Sequence, residues 1–164
     1  MYDQYWNFMF TKKYELIYLG MQRHRYILIE RISNIVLAII STGSLAGLLI
    51  TGELKVLLAV LLGLTQIYTA AKPFLPFESR SRELGAEVSA LTVLYSRIEK
   101  EWLLVYEGKL SDEEINNKKY EYMEEWVRID SQYFQNDSLP RNEKMRDAAT
   151  QEAILYFKQS IGGF

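Results

Sequence analysis

The feature that most constrains this chain of 164 residues is a run of twenty-one without an ionisable side chain, Ile32 to Gly52. A helix rises about 1.5 Å per residue, so the run is long enough to cross a hydrocarbon layer of about 30 Å. A second apolar run, Val56 to Ala71, follows after Glu53 and is shorter, so it needs the stems of Lys55 and Lys72 to reach outward. We therefore predict a transmembrane helical hairpin.

The second run has one alternative, a buried core helix of a soluble bundle, which sixteen residues also fit. Its leucines cover every side of the helix, whereas a surface helix of a soluble protein keeps one polar face. The hydrophobic hairpin is hidden in the overall composition because the remaining segments are strongly polar.

Basic residues lie before the first run and after the second, whereas the turn between the runs holds a single lysine. The positive-inside rule then places both termini in the cytoplasm. Three regions follow: a cytoplasmic or interfacial segment rich in aromatic and basic residues (1–31), the hairpin (32–77) and a cytoplasmic helical region (78–164). The aromatic residues of the first region either lie on the inner leaflet or pack against the C-terminal helices. The basic residues are Lys12, Lys13, Arg23, Arg25, Arg31, Lys72, Arg80 and Arg82.

No stretch alternates as a strand does, so the fold class is an all-α membrane protein. Prolines at 73 and 76 end the hairpin, and the next helix carries an apolar seam at heptad-like steps. The seam either joins copies of the chain or packs within one chain. We expect that helix to end at Gly108, a capping box from Ser111 to Glu114 to start the next one, and a last helix to run over 141–160. The seam residues are Leu84, Val88, Leu91, Tyr95, Ile98 and Trp102.

The sequence predicts no enzyme, because it holds no recognisable catalytic residues, metal site or cofactor site. Cysteine is absent, which excludes a thiol nucleophile and cysteine-ligated metals. The only histidine, His24, has no serine or cysteine partner at a recognisable spacing. The acidic residues 112–114 are expected at a helix N-terminus from the helix dipole alone.

Small and hydroxyl side chains mark the two spans. Hydroxyl groups in lipid turn toward other helices or toward water, so one face of the first span either lines a pore, with a dry apolar gate, or packs against a neighbouring helix. Neither span carries a charge, and two helices do not enclose a water path, so a channel requires several copies. The pore-lining or gate candidates are Ser33, Leu37, Ile40, Ser44 and Thr51, and the helix-packing candidates are Gly43, Gly47, Gly63 and Gln66.

Basic side chains near tyrosines form the candidate ligand site. Arginine binds phosphate with two parallel hydrogen bonds, and aromatic rings stack on bases, which suits a nucleotide or a single strand. The alternative is that these residues only set topology and attract anionic lipid. The candidates are Arg23, His24, Arg25, Arg80 and Arg82.

The layout resembles the SLATT family of bacterial two-transmembrane effectors. The matching features are the lead-in Lys12-Lys13-Tyr14 and Arg23-His24-Arg25-Tyr26, the tight hairpin, the exit at Lys72-Pro73, and a long helix that carries Glu83, Glu87 and the seam. The resemblance implies a bacterial inner-membrane effector of anti-phage defence. Since a channel requires several copies, we expect a tetramer-like homo-oligomer in the lipid bilayer.

The same resemblance implies gating by a nucleotide or single-stranded oligonucleotide that a partner nucleotidyltransferase makes. Opening then depolarises the membrane and arrests or kills the cell. A membrane-anchored scaffold that conducts nothing is the second hypothesis, and a phage holin-like lysis protein is a third.

Overall fold

The computed structural model describes residues 1–47, 54–72, 77–133 and 139–160. Over these ranges the chain forms helices and no strand, so the predicted all-α class is confirmed there. None of the helices in the described ranges is long and apolar enough to cross a membrane. The last part of the first apolar run, 48–52, lies outside those ranges. The helices are α1 (Tyr2–Gly47), α2 (Leu54–Ala71), α3 (Phe77–Tyr106), α4 (Asp112–Tyr133) and α5 (Glu143–Ser160).

The chain divides into two compact units. The helical unit contains Met1–Arg23 and Arg82–Phe164, and the hairpin unit contains His24–Ser81. The divisions differ from the predicted ones at residues 31 and 78, because the N-terminal part of α1 packs with the C-terminal helices. The aromatic lead-in is therefore part of the helical unit.

Aromatic residues of α1 fill the centre of the helical unit. Tyr5 and Met9 are fully buried, and the Tyr5 hydroxyl donates a hydrogen bond to the carbonyl oxygen of Ile98 at 3.2 Å. The ring of Trp6 meets Phe157 of α5 edge-on, with centroids 4.9 Å apart. Of the two alternatives for this segment, packing against the C-terminal helices is the one found, and its large buried rings contribute much of the apolar area that stabilises the unit.

The apolar seam of α3 is buried inside its own chain. Five of its six members are at most 2% exposed, and the sixth, Val88, packs at the edge of the same core. Side chains of α1 and α4, among them Leu16 and Ile115, complete that core. Of the two alternatives for the seam, packing within one chain is the one found, because its apolar face is already covered by side chains of its own chain. The five buried members are Leu84, Leu91, Tyr95, Ile98 and Trp102.

Two lysines of α1 lie on aromatic faces of the helical unit. The ammonium nitrogen of Lys13 is 3.4 Å from the ring centroid of Tyr156 and 4.7 Å from that of Tyr95. That of Lys12 is 4.7 Å from the Trp126 ring. Desolvation lowers the pKa of Lys13. Lys12 and Lys13, which the sequence analysis used to orient the chain in the membrane, therefore also stabilise the packing of α1 by cation–π contact.

The predicted helix ends are confirmed at both sides of the α3–α4 turn. Gly108 has a φ of 67°, and its amide donates to Val105 while the Lys109 amide donates to Leu104, which is the Schellman pattern. The Ser111 amide donates to Glu114 Oε2 at 2.8 Å, and the Glu114 amide donates to Ser111 Oγ at 3.3 Å. These local bonds fix where α3 ends and α4 begins.

Candidate functional site

The C-terminal part of α1 packs beside α2 in the hairpin unit and leaves a groove of about 300 Å³. At one end the ammonium of Lys72 donates to Asn34 Oδ1 at 2.7 Å. Ser33 and Tyr68 lie near that end, whereas Leu37 and Leu61 lie farther along the two helices. The groove itself is lined mainly by apolar side chains, and the hydrogen bond between Lys72 and Asn34 lies beyond its lining.

Two of the pore candidates, Ser33 and Leu37, line this groove between helices of one chain. That placement matches the packing alternative for these two residues, and a pore-lining role stays a prediction. The Ile40 and Ser44 side chains and the whole of Thr51 lie outside the described residues. The surroundings of the packing candidates Gly43 and Gly47 lie outside them as well.

Gly63 lies on the exposed side of α2. A Cβ added there meets no atom of the described residues within 4 Å, so none of those residues packs closely against this glycine. Gln66 is also exposed. The described residues of the chain do not bury the Gln66 side chain. That Gln66 bonds across a subunit boundary therefore stays a prediction.

Large hydrophobic side chains are exposed on both helices of the hairpin unit. Eight of them have 47–69% of their surface accessible in the single chain. Thr65 faces inward instead, and its hydroxyl donates to the Leu61 carbonyl at 2.8 Å. The outer surface of the hairpin unit is therefore apolar on both helices. The eight residues are Ile32, Ile35, Val36, Ile39, Val56, Val60, Leu64 and Ile67.

The five basic candidates fall in both units. Arg23 and Arg82 belong to the helical unit, and His24, Arg25 and Arg80 to the hairpin unit. All are exposed except Arg80, which is half-buried.

Two of these arginines have a defined setting in the chain. A guanidinium nitrogen of Arg80 donates to the Tyr26 hydroxyl at 3.3 Å, and the Tyr26 ring packs on Phe77. The Arg23 guanidinium lies against Gly85, where an added Cβ would be 3.0 Å from Nε. Each of these two guanidinium groups is thus positioned by its own unit.

Glu87 is a buried carboxyl that sequence reasoning missed. It is fully buried on α3. Burial, together with the neighbouring carboxylate of Asp130 on α4, raises the pKa of Glu87 to about 8. Its spacing is the sequence signal for this burial. Glu87 follows Leu84 by three residues and precedes Leu91 by four, which places it on the same face of α3 as these two leucines. The sequence analysis assigned Val88, and not Glu87, to the buried face of α3.

A second missed polar residue is Gln22 of α1, which is fully buried. Its amide nitrogen donates to the Tyr18 hydroxyl at 2.8 Å and to the Pro140 carbonyl at 3.1 Å. The Tyr18 oxygen in turn accepts from the Asn142 amide at 3.3 Å, and Asn142 caps α5 through Met145. These bonds join α1 to the start of α5, and no local pattern signals partners so far apart along the chain.

The described residues bring together no group of three or more acidic, histidine or cysteine side chains that suits a metal ion. No family model, curated protein or solved structure matches this chain.

Proposed function

We propose that this chain is a pore-forming membrane effector with its hairpin unit in the bilayer and its helical unit in the cytoplasm. The observation that carries the proposal is the exposed apolar surface on both helices of the hairpin unit. Single exposed hydrophobic residues are ordinary in soluble proteins, but eight on two adjoining helices require a cover. Lipid and neighbouring copies of the chain together supply such a cover.

Both termini lie on one side of the membrane in this proposal. Its support is that Tyr5 contacts Ile98, and Trp6 contacts Phe157, in one core. Segments that share a core lie on the same side of a bilayer. The basic residues that flank the apolar runs favour the cytoplasmic side.

The proposed pore is a homo-oligomer, tetramer-like, because two helices do not enclose a water path. The buried α3 seam is not available for assembly. The exposed side of α2 takes its place in the proposal, since Gly63 allows close approach of another helix and Gln66 is costly against hydrocarbon unless bonded.

Gating by an anionic ligand completes the proposal, with Arg23, His24, Arg25, Arg80 and Arg82 as its candidate contacts. Charge and exposure support an anion there, and Arg80 is already oriented by the Tyr26 hydroxyl. A nucleotide or oligonucleotide from a partner nucleotidyltransferase, and a role in anti-phage defence at the bacterial inner membrane, rest on the family resemblance.

The test is a Gly63→Leu variant expressed at the wild-type level, with membrane potential read by a voltage-sensitive dye. We expect uncontrolled wild-type expression to collapse the potential and the variant to leave it intact, because the added side chain blocks helix approach between copies. Gly20→Leu is the matched control, since Gly20 is also helical and an added Cβ there also meets none of the residues that the structure describes within 4 Å.

Unchanged depolarisation by Gly63→Leu removes α2 from the assembly surface. Recovery of the wild-type chain from the aqueous fraction, monomeric and without detergent, overturns the whole proposal.

A second candidate function, a non-conducting membrane scaffold, is favoured by one observation. Tyr120, Met123 and Val127 lie on one face of α4 and are all exposed, as expected for a surface that binds another protein's helix. Ion flux from liposomes containing the purified protein separates the two functions, because a scaffold passes no ions in any condition.

A further inference from the structure

Glu87 lies where α4 closes over α3. It is fully buried, three residues after Leu84 and four before Leu91, which are themselves fully buried. Asp130, in the last turn of α4, faces Glu87 from the other helix. An ionised carboxyl loses its hydration in such a place and gains no opposite charge from Asp130. The contact between α3 and the end of α4 therefore requires that Glu87 keep its proton.

The described parts of the neighbouring helices offer Glu87 no compensating cation. Arg23 of α1 is exposed and lies against Gly85, about 200° around α3 from Glu87. Tyr133, three residues on from Asp130, is the other titratable side chain in this turn of α4. The partly buried charged side chains on α1, on the second half of α4 and on α5 each contact another partner. They are Lys12, Lys13, Glu15, Glu125 with its exposed partner Arg128, and Arg146.

Proton binding by Glu87 and closure of this contact are therefore coupled. In the closed contact, burial and the Asp130 carboxylate raise the pKa of Glu87 to about 8, whereas in water the pKa returns to its ordinary value of 4.5. Between these two values an open contact releases the proton that the closed contact holds, so the open population rises about tenfold for each pH unit. Higher pH thus favours opening.

We propose that Glu87 and the last turn of α4, residues 129–133, form a pH switch. With Glu87 protonated the turn covers α3, and when Glu87 loses its proton the turn moves off α3 and uncovers the apolar face beneath it. The preceding part of α4 stays in place, because Trp126 is buried and Arg97 of α3 pairs with Glu125 at 2.8 Å. The switch is built from the helical unit alone, so it does not depend on the membrane location proposed for the hairpin unit.

The experiment uses single introduced cysteines in the full chain, which holds none of its own. Ile129→Cys places a thiol on the moving turn, at a half-buried position against the core, and Val127→Cys places one at an exposed position of the same helix. Each purified variant is mixed with a maleimide at pH 5, 6 and 7. The labelling rate at residue 129 divided by that at residue 127 removes the effect of pH on the thiol itself.

The ratio of the two rates should rise about tenfold for each pH unit, since the reagent reaches residue 129 only in the open contact. Adding Glu87→Gln should abolish the rise, because the amide does not ionise. Adding Glu83→Gln, at an exposed position of the same helix, should leave the rise unchanged. A flat ratio, or a rise that survives Glu87→Gln, overturns the proposal.

Ala153→Cys separates the switch from unfolding of the whole helical unit. Ala153 is fully buried on α5, so its labelling requires that the packing of α5 be lost. At pH 7 we expect Ala153→Cys to be labelled more slowly than Ile129→Cys by about tenfold or more, because local opening costs less free energy than global unfolding. Equal rates mean that the unit opens only as a whole, which overturns the switch. Neither result bears on the proposed pore, which the membrane-potential assay tests.

Discussion

The carboxyl of Glu87 provides the sharpest prediction for the stability of the helical unit. Its pKa is raised from 4.5 to about 8 by burial and by Asp130, so the folded protein keeps the proton that the unfolded chain releases. Raising the pH from the unfolded value toward 8 therefore favours unfolding. The free energy of unfolding falls by about 1.4 kcal/mol for each pH unit in that window. Between pH 5 and pH 7 the loss is about 3 kcal/mol.

Glu87→Gln keeps the size of the side chain and removes its titration. We expect this variant to lack the pH slope that Glu87 causes, and to be more stable than the wild type at pH 7 by about 3 kcal/mol. The assay is urea denaturation of the purified full chain at pH 5, 6 and 7. Tryptophan fluorescence is a suitable signal, because all three tryptophans belong to the helical unit.

Glu83→Gln is the matched control, since Glu83 is exposed on the same helix one turn earlier. It should leave the wild-type slope unchanged. Parallel curves for Glu87→Gln and the wild type from pH 5 to pH 7 would refute the reasoning, because they would mean that Glu87 is already ionised in the folded protein. If the free energy of unfolding rises from pH 7 to pH 5 in the wild type and in Glu83→Gln but not in Glu87→Gln, the assignment to Glu87 is supported.

Three other perturbations test separate contacts. Lys13→Met should lower the free energy of unfolding by about 1 kcal/mol, because the ammonium loses two tyrosine faces, while Lys100→Met at an exposed position should change it little. Ser111→Ala should cost about 1 kcal/mol in the same urea assay through the lost cap of α4, and an unchanged midpoint would contradict the capping role. Replacing Arg23 and Arg25 together by glutamine should weaken binding of a short single-stranded oligonucleotide and flatten its salt dependence in fluorescence anisotropy, and a normal response excludes both residues from the ligand site.

The sequence predicted the local features of the helical unit well. The stop at Gly108 and the box from Ser111 to Glu114 each follow from side chains within a few residues of one another, whereas the last helix was predicted from residue 141 and begins at Glu143, after its cap Asn142. Such signals act through backbone groups of the same turn, so they survive any tertiary arrangement.

The partner of each helix was harder to predict. The spacing of apolar residues in the sequence identifies the buried face of α3. It does not identify the segment that packs against that face. Tyr5 and Met9, far away along the chain, cover it. Glu87 was missed for a related reason, since its burial depends on α4 closing over α3 and not on its own neighbours.

By itself the sequence determined where α3 ends and α4 begins, which faces are apolar, and that a long uncharged run dominates the first half of the chain. The tertiary structure alone decided that α1 fills the α3 seam, that Lys13 lies on tyrosine rings, and that a Cβ added at Gly63 meets none of the described residues. The physical reason is range. Hydrogen bonds of turns and caps are fixed over a few residues, whereas burial depends on which distant surfaces meet.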